Sequence, residues 1–421
     1  MNSYQLMSVF GTAVILGVAW LLSKNKGAVN WRTVLWGTAL QFIFALLILK
    51  TPPGRWVFDA MNLVVLKLLS FQEEGAKFVF GSLALPPGRE GSLGFYFAFQ
   101  VLTTIVFLSS LMSVLYYLGV MQKVVLFFGR IMQYTCKTSG AETLCASANI
   151  FVGQTEAPLL VRPYIEEMTE SELFCVMVGG MATIAAGVMV AYVSMLQPYF
   201  PDVAGHLLAA SVMSAPAAIV IAKLMLPETG QPKTLGTLKL EYRDTSANVI
   251  EAAAGGASTG MQLALNVGAM LVAFMSLLAM VNWGLHRGCA LFGHPEIGLE
   301  MLMGWLLSPV AWIMGVPWKD CPIIGTLMGE KTILNEFVAY LHMSQYAAAH
   351  VADQIAYRSY VIGVYALCGF SNILSIAIQI GGIGALAPGR RPDLARLGVK
   401  ALIAGSLACF LTASIVGILV P

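Results

Sequence analysis

Two carboxylates stand in stretches that are otherwise apolar. Glu156 lies in Asn149-Ile-Phe-Val-Gly-Gln-Thr-Glu156-Ala-Pro158, and Glu336 in Lys331-Thr-Ile-Leu-Asn335-Glu336-Phe-Val-Ala-Tyr340. A charge at bilayer depth costs roughly 2.5–3.5 kcal/mol on the mildest scale, so such residues are functional by default. Gln154, Thr155 and Glu156 set three polar side chains in a row before Pro158. Together they offer amide donor and acceptor, hydroxyl and carboxylate. That set suits a nitrogen-rich, hydroxylated solute better than a bare ion. The plainer alternative is a structural network with Arg162. Glu336 is matched to vicinal hydroxyls, because a carboxylate accepts from both; its alternative is an ion pair with Lys331. Asn372 and Ser375 share a helix face at a spacing of three, and Phe370 precedes them; small polar groups packed between helices are the bland reading. Asn149 and Thr183, with carbonyls freed near Val152 and Ile184, offer the oxygens that hard cations take.

These side chains must be held by membrane helices. The chain has 421 residues, 58% hydrophobic and only 11% charged, and its mean hydropathy is +0.77. A soluble domain carries about 25% charged residues. The composition therefore predicts an all-α integral membrane protein. No long polar segment forms a separate soluble domain, and a net charge of +2 is too small to suggest nucleic-acid binding. Lys24 and Lys26 follow the first apolar run instead of preceding it, the reverse of a cleavable signal. Seven Cys lie scattered without C-x-x-C spacing and read as small core residues, although Cys289 and Cys321 could pair.

The apolar pattern predicts about eight transmembrane helices, near 5–23, 33–50, 93–120, 171–195, 205–225, 261–285, 356–380 and 398–420. Residues 121–137 suit an interfacial helix, and 51–92 read as an external connection. Residues 139–166 and 318–345 are too interrupted for simple spans and read as re-entrant hairpins. Lys24, Lys26, Arg32, Lys123, Arg130, Lys137, Lys233, Lys239, Arg243, Arg390, Arg391, Arg396 and Lys400 fall on one side if both termini are external. Arg55, Lys67, Lys77 and Arg89 run against that rule. Glu166, Glu167, Glu170 and Glu172 read as a solvated acidic turn. Gly179-Gly180 through Gly187, and Gly369 through Ser375, mark breaks in the helices that follow the two hairpins. The halves then form an inverted repeat, and paired broken segments in such a repeat mark a solute site. An acid–base enzyme using Glu156 and Glu336 lacks a nucleophile–His pair, a metal cluster or a phosphate loop. A passive channel would call for rings of like residues.

Gly153-Gln-Thr-Glu-Ala-Pro-Leu159 and Lys331-x-x-x-Asn335-Glu-Phe-Val-Ala-Tyr340 resemble the signatures of concentrative nucleoside transporters, as do Phe78-Val-Phe-Gly-Ser-Leu83 and Ser371-Asn-x-x-Ser375. The resemblance runs in order from about residue 75 to the C-terminus. It implies a homotrimer importing nucleosides such as uridine across a bacterial inner membrane, with no cofactor beyond a coupling ion. Residues 1–120 would be scaffold helices, and 246–317 a sixth scaffold helix with flanking interfacial helices. Residues 121–230 and 318–421 would be the two halves of a mobile transport domain. By resemblance, Gln154, Thr155 and Glu156 contact the nucleobase and Val188 lines that pocket. Glu336, Asn372 and Ser375 bind the ribose, with Phe370 nearby. A sodium site maps onto the Asn149 side chain, the Val152 and Ile184 carbonyls, and Thr183, where a bacterial relative carries Ser. Proton-coupled relatives have Gln-Ser-Glu-Asn-Phe where this chain has Gln-Thr-Glu-Ala-Pro, so the resemblance favours sodium and leaves a proton as the alternative.

Overall fold

The computed structural model describes residues 2–86, 89–237, 246–291, 293–294, 296–348 and 355–421. Lys239 and Arg243 lie outside them. The chain is helical, with no sheet among the described residues. In order, α1 (Ser3–Leu21), α2 (Trp31–Lys50), α3 (Pro52–Phe80), the short α4 (Phe97–Gln100), α5 (Leu102–Tyr117) and α6 (Val120–Cys136) lead to the first broken region. That region is α7 (Gly140–Ala148), a turn, and α8 (Arg162–Ile165). Then come α9 (Glu170–Ala182), α10 (Ala186–Leu196), α11 (Val203–Met225), α12 (Val249–Ala290) and α13 (Leu299–Ile313). The second broken region is α14 (Cys321–Ile333) and α15 (Glu336–Ala348), followed by α16 (Tyr357–Leu367), α17 (Ile373–Leu386) and α18 (Arg391–Leu419).

Among the described residues, seven helical segments are long and apolar enough to cross a membrane. They match the predicted spans except that near 356–380. There α16 and α17 are separated by a break at 368–372, so neither alone is span-length. Two stretches differ from the sequence reading. The connection 51–92 contains α3, a helix of 29 residues capped by Thr51, opened by Pro52 and Pro53, and closed at Gly81 with φ 58°. Its charges lie off the buried face of Val65, Gln72 and Ala76, which lowers hydropathy without weakening amphipathicity. Helix α12 starts at Val249, well before the predicted 261. Its first turns are Ala, Gly, Ser and Thr, small rather than apolar, and the Asn248 side chain caps Glu251 N at 2.9 Å. Among the described residues no disulfide forms, and Cys321 is buried away from pairing.

The predicted interfacial helix is α6, which buries Met121, Val125, Gly129, Met132 and Cys136 on one face. Helices α1 and α2 pack on α11, and α1 also on α18; α5 packs on α12. At the α5–α12 contact a Cβ at Gly256 would meet Ser109 O at 2.6 Å, and one at Gly260 would meet Val106 Cα at 2.8 Å. Side chains there would drive the two helices apart.

The ends of the molecule carry different charge. Lys24 pairs with Glu170 at 2.8 Å, Arg396 with Glu170 at 2.6 Å, and Lys233 with Glu167 at 2.7 Å. Lys24 N also bonds Met225 O at 3.0 Å, so the basic loops after α1 and α11 and before α18 meet at one end. At the other end Arg358 donates to Tyr4 O at 3.1 Å, to Gly315 O at 2.8 Å and to Val420 O, which joins the two termini.

The first broken region leaves from and returns to the basic end. Gly140 N bonds Thr234 O at 2.9 Å on the way in, and Arg390 donates to Glu166 O at 3.2 Å on the way out. The second does the same at the terminal end. Asp320 accepts from Ala356 N at 3.0 Å, and Tyr360 OH donates to Met343 O at 2.5 Å. Helix α7 has nine residues, and α14 and α15 have 13 each. At 1.5 Å per residue these are about 14 and 20 Å, too short for a core of about 30 Å. Both regions are hairpins that enter from opposite ends and turn back inside.

Candidate functional site

The turn of hairpin 1 carries Gly153 to Glu156, and that of hairpin 2 carries Leu334 to Glu336. Pro158 prevents α7 from simply resuming after the turn, and the return strand runs first as a 3-10 helix, Ala157–Val161. In hairpin 2, Asn335 Oδ1 accepts from Val338 N at 3.1 Å and so starts α15 directly after the turn. The α9–α10 break at 183–185 and the α16–α17 break at 368–372 lie against each other: Phe370 N bonds Thr183 O at 3.2 Å.

Between these elements is a cavity of about 110 Å³. Its lining includes Gln154, Thr155, Glu156, Val188, Glu336, Phe370, Asn372 and Ser375, together with Asn335, Phe337 and α12 residues Leu263, Val267 and Met270. All eight residues read from the sequence as solute contacts therefore come together. A larger cavity of about 250 Å³ abuts it, sharing Gly153, Glu156, Ala185, Val188 and Leu263 and reaching Ser109, Ser113, Gly256 and Thr259 between α5 and α12.

Glu336 is buried, yet its partner is not Lys331. The Lys331 ammonium donates to Ala366 O at 2.9 Å. Glu336 accepts instead from Tyr192 OH at 2.9 Å and Asn372 Nδ2 at 3.0 Å. It is also the first residue of α15, where the helix dipole favours an anion. Asn372 caps α17, its Oδ1 accepting from Ser375 N at 2.8 Å. Both ends of the Asn372 amide are thereby assigned. Glu156 stays exposed to the cavities, as does Arg162 on the molecular surface, so hairpin 1 is not held by an Arg162 network. A Cβ at Gly153 would lie 2.3 Å from Glu156 Oε2, so only Gly lets that carboxylate fold back over the turn. Gln154 is buried and donates to Ser375 Oγ at 3.0 Å, tying hairpin 1 to α17.

The oxygens expected to hold a cation sit beside this cavity. Asn149 ends α7 fully buried, and its Oδ1 has no hydrogen-bond partner. A buried amide oxygen left unpaired is costly, and a cation would satisfy it. Thr183 donates its hydroxyl to Gly179 O at 2.8 Å, which leaves the oxygen's lone pairs free. Val152 lies in the hairpin turn and Ile184 in the α9–α10 break, where helical hydrogen bonds lapse. Two side-chain oxygens and unwound carbonyls suit a hard monovalent cation, and no His/Cys/Asp/Glu cluster for a transition metal occurs among the described residues.

Several buried polar groups escaped the sequence reading. Tyr192, from α10, was hidden in a uniformly apolar run; it stacks on Tyr340 with ring centroids 4.4 Å apart and aims its hydroxyl at Glu336. Glu142 pairs with Lys223 at 2.7 Å, and Lys223 also reaches Ser171 Oγ at 2.9 Å, at the base of hairpin 1. Glu172 is not solvated as the acidic turn suggested: it is 2% exposed, accepts from Ser139 Oγ at 2.5 Å and forms a capping box with Thr169. Hairpin 2 has its own cross-strut, His342 Nδ1 to Glu330 Oε1 at 2.8 Å. A one-residue view of hydropathy cannot see such pairs, because the partners come from distant segments.

Comparison with known proteins agrees with this architecture. Residues 206–417 match the family described as sodium-dependent nucleoside transporter C-terminus, residues 10–83 its N-terminus, and residues 98–199 a nucleoside recognition gate. The chain belongs to the concentrative, sodium-dependent nucleoside transporter family. An uncharacterized transporter of Haemophilus influenzae is 46% identical over 418 residues, covering 99% of this chain and 98% of that protein. Human solute carrier family 28 member 3 is 44% identical over all of this chain, which spans 60% of the human protein's length. CNTnw in an inward-facing, substrate-bound state superposes with a TM-score of 0.91 at 44% identity, covering 99% of this chain and 97% of that one. A CNTnw variant in an outward-facing state superposes at 0.92 and 43% identity, covering 99% and 98%. The family is one of transporters, not enzymes, which removes the acid–base reading of Glu156 and Glu336.

Proposed function

We propose that this protein is a sodium-driven nucleoside symporter of the bacterial inner membrane, working as a homotrimer with both termini external. The observation that carries it is the cavity between two oppositely entering hairpins, lined by Gln154, Thr155 and Glu156 on one side and Glu336, Asn372 and Ser375 on the other. In this reading the first group meets the nucleobase, with Val188 beside it, and the second meets the ribose, with Phe370 nearby. Asn149, Val152, Thr183 and Ile184 hold sodium at the junction of hairpin 1 and the α9–α10 break. The ion would supply fixed positive charge that holds this junction in a substrate-binding shape.

The packing supports a frame of α5 and α12 past which the hairpin-bearing elements move. In this reading residues 1–120 and 246–317 form the scaffold, and residues 121–230 and 318–421 the two moving halves. Much of α12 is exposed and apolar, including Leu265, Val272 and Trp283, a face suited to lipid and to other copies of the chain.

Uptake of labelled uridine into proteoliposomes tests the reading. An inward sodium gradient should concentrate uridine above equilibrium. A potential of 100 mV is worth about 2.3 kcal/mol per charge, roughly 50-fold accumulation for one cation. Equal accumulation from a proton gradient in sodium-free buffer would assign proton coupling instead, and flux that only equilibrates would indicate a channel.

A further inference from the structure

Gln379 is fully buried on α17, one turn beyond Ser375, and does not line the cavity. Its Nε2 donates to Met177 O at 3.0 Å and to Gln154 Oε1 at 3.1 Å. A backbone carbonyl only accepts, so Met177 dictates which end of the Gln379 amide faces α9. An amide nitrogen has two hydrogens, and the second goes to Gln154. Gln154 must then turn its oxygen toward Gln379 and its nitrogen the other way, where Nε2 donates to Ser375 Oγ at 3.0 Å. A free carboxamide can turn over, exchanging donor for acceptor with little change in shape. Here the chain from Met177 through Gln379 forbids that exchange. Gly180 makes room for it: a Cβ there would lie 2.7 Å from Gln154 Cβ and 2.8 Å from Gln379 Nε2.

We infer that Gln379 is a specificity-determining positioning residue, which holds the Gln154 amide nitrogen on the cavity side, one hydrogen on Ser375 Oγ and the second presented to the base, so that the site selects nucleobases offering a hydrogen-bond acceptor to it. The inference rests on the nucleoside reading of the cavity. A base carbonyl or ring nitrogen lone pair satisfies the presented donor. An exocyclic amino group at that place sets N–H against N–H and leaves a buried donor unpaired, the kind of mismatch that binding sites reject most strongly.

The test compares wild type with Gln379→Met, which keeps length and apolar volume but donates nothing, in proteoliposomes of the full chain. KM is measured for two pairs in which a carbonyl is exchanged for an amino group, uridine with cytidine and inosine with adenosine. Uridine and 3′-deoxyuridine serve as the ribose control. Wild type should favour the carbonyl member of at least one pair. Gln379→Met should shift that ratio toward the amino member by about tenfold, the value of one neutral hydrogen bond. The ribose ratio and maximal rate should hold. Pair ratios that stay fixed while all nucleosides weaken alike would overturn the inference, because that is what a merely structural role predicts. Should Gln379→Met fail to assemble, Gln379→Leu carries the same readout. In a Gln154→Leu background, adding Gln379→Met should move the pair ratios no further, and an additional shift would also overturn it. Wild type that takes up no nucleoside would overturn the reading of the cavity itself, whereas normal uptake with unmoved ratios overturns only the role of Gln379.

Discussion

Glu336 is buried without a cation and held by two neutral donors, Tyr192 and Asn372. Hydrogen bonds to a charged group are worth about 1.5–3 kcal/mol each. Tyr192→Phe should therefore raise the KM for uridine by at least about tenfold while uptake persists, because Asn372 and the α15 N-terminus still hold the carboxylate. Glu336→Gln should assemble normally, as judged by size-exclusion profile, yet lose uptake; near-normal transport would exclude it as a ligand. Asn149 offers a separate test. Its unpaired Oδ1 is the oxygen a cation would take up, so Asn149→Ala should raise the sodium concentration for half-maximal uptake several-fold without altering the relative KM of different nucleosides. At this scale the sequence exposed the polar lining of the cavity, since Gln154, Thr155, Glu156, Glu336, Asn372 and Ser375 are polar types in apolar runs. It concealed Tyr192 and Gln379. A tyrosine is compatible with any apolar helix, and a lone glutamine says nothing of the carbonyl it will face.

At the scale of elements, hairpin 1 is pinned at its base by buried charge. Lys223 on α11 neutralises Glu142 on α7, with both side chains no more than 6% exposed. Removing one partner of a buried pair leaves an uncompensated charge and costs about 3–5 kcal/mol. Lys223→Met alone should lower thermal stability in detergent sharply, and the double change Lys223→Met with Glu142→Gln should recover most of it. If the two substitutions simply add, the pair does not pin hairpin 1. The boundaries of α12 and the existence of α3 were not legible from hydropathy, for one physical reason. Small residues such as Ala252 to Gly256 and charges such as Lys67 and Glu73 lower an average without disturbing a helix whose buried face is intact. The breaks were legible, because Gly, Thr, Ser and Asn in mid-span cannot be accounted for by lipid-facing packing.

At the scale of the whole molecule, the basic loops gather at one end and the termini at the other. A cysteine introduced at Asn25 in a Cys289→Ser background should react with an impermeant thiol reagent only when the reagent is on the cytoplasmic side. Cysteines at Asn2 or Pro421 should react only from outside. The other native cysteines are buried and silent. Reaction of positions 2 and 25 from the same side would invalidate the single crossing by α1 and with it the inverted relation of the hairpins.

By itself the sequence determined that the chain is helical and membrane-embedded, that two hairpins and two broken helices recur in inverted order, and which polar residues stand at bilayer depth. These follow from local facts, since hydropathy, Gly and Pro placement and the cost of a buried charge are all read along the chain. Tertiary structure alone decided that the two breaks hydrogen-bond to each other, that Glu336 answers to Tyr192 and Asn372 and leaves Lys331 to Ala366, and that Met177 reaches Gln154 through Gln379. Each joins residues from separate segments, and a hydrogen bond's direction depends on which atom the fold brings to face it.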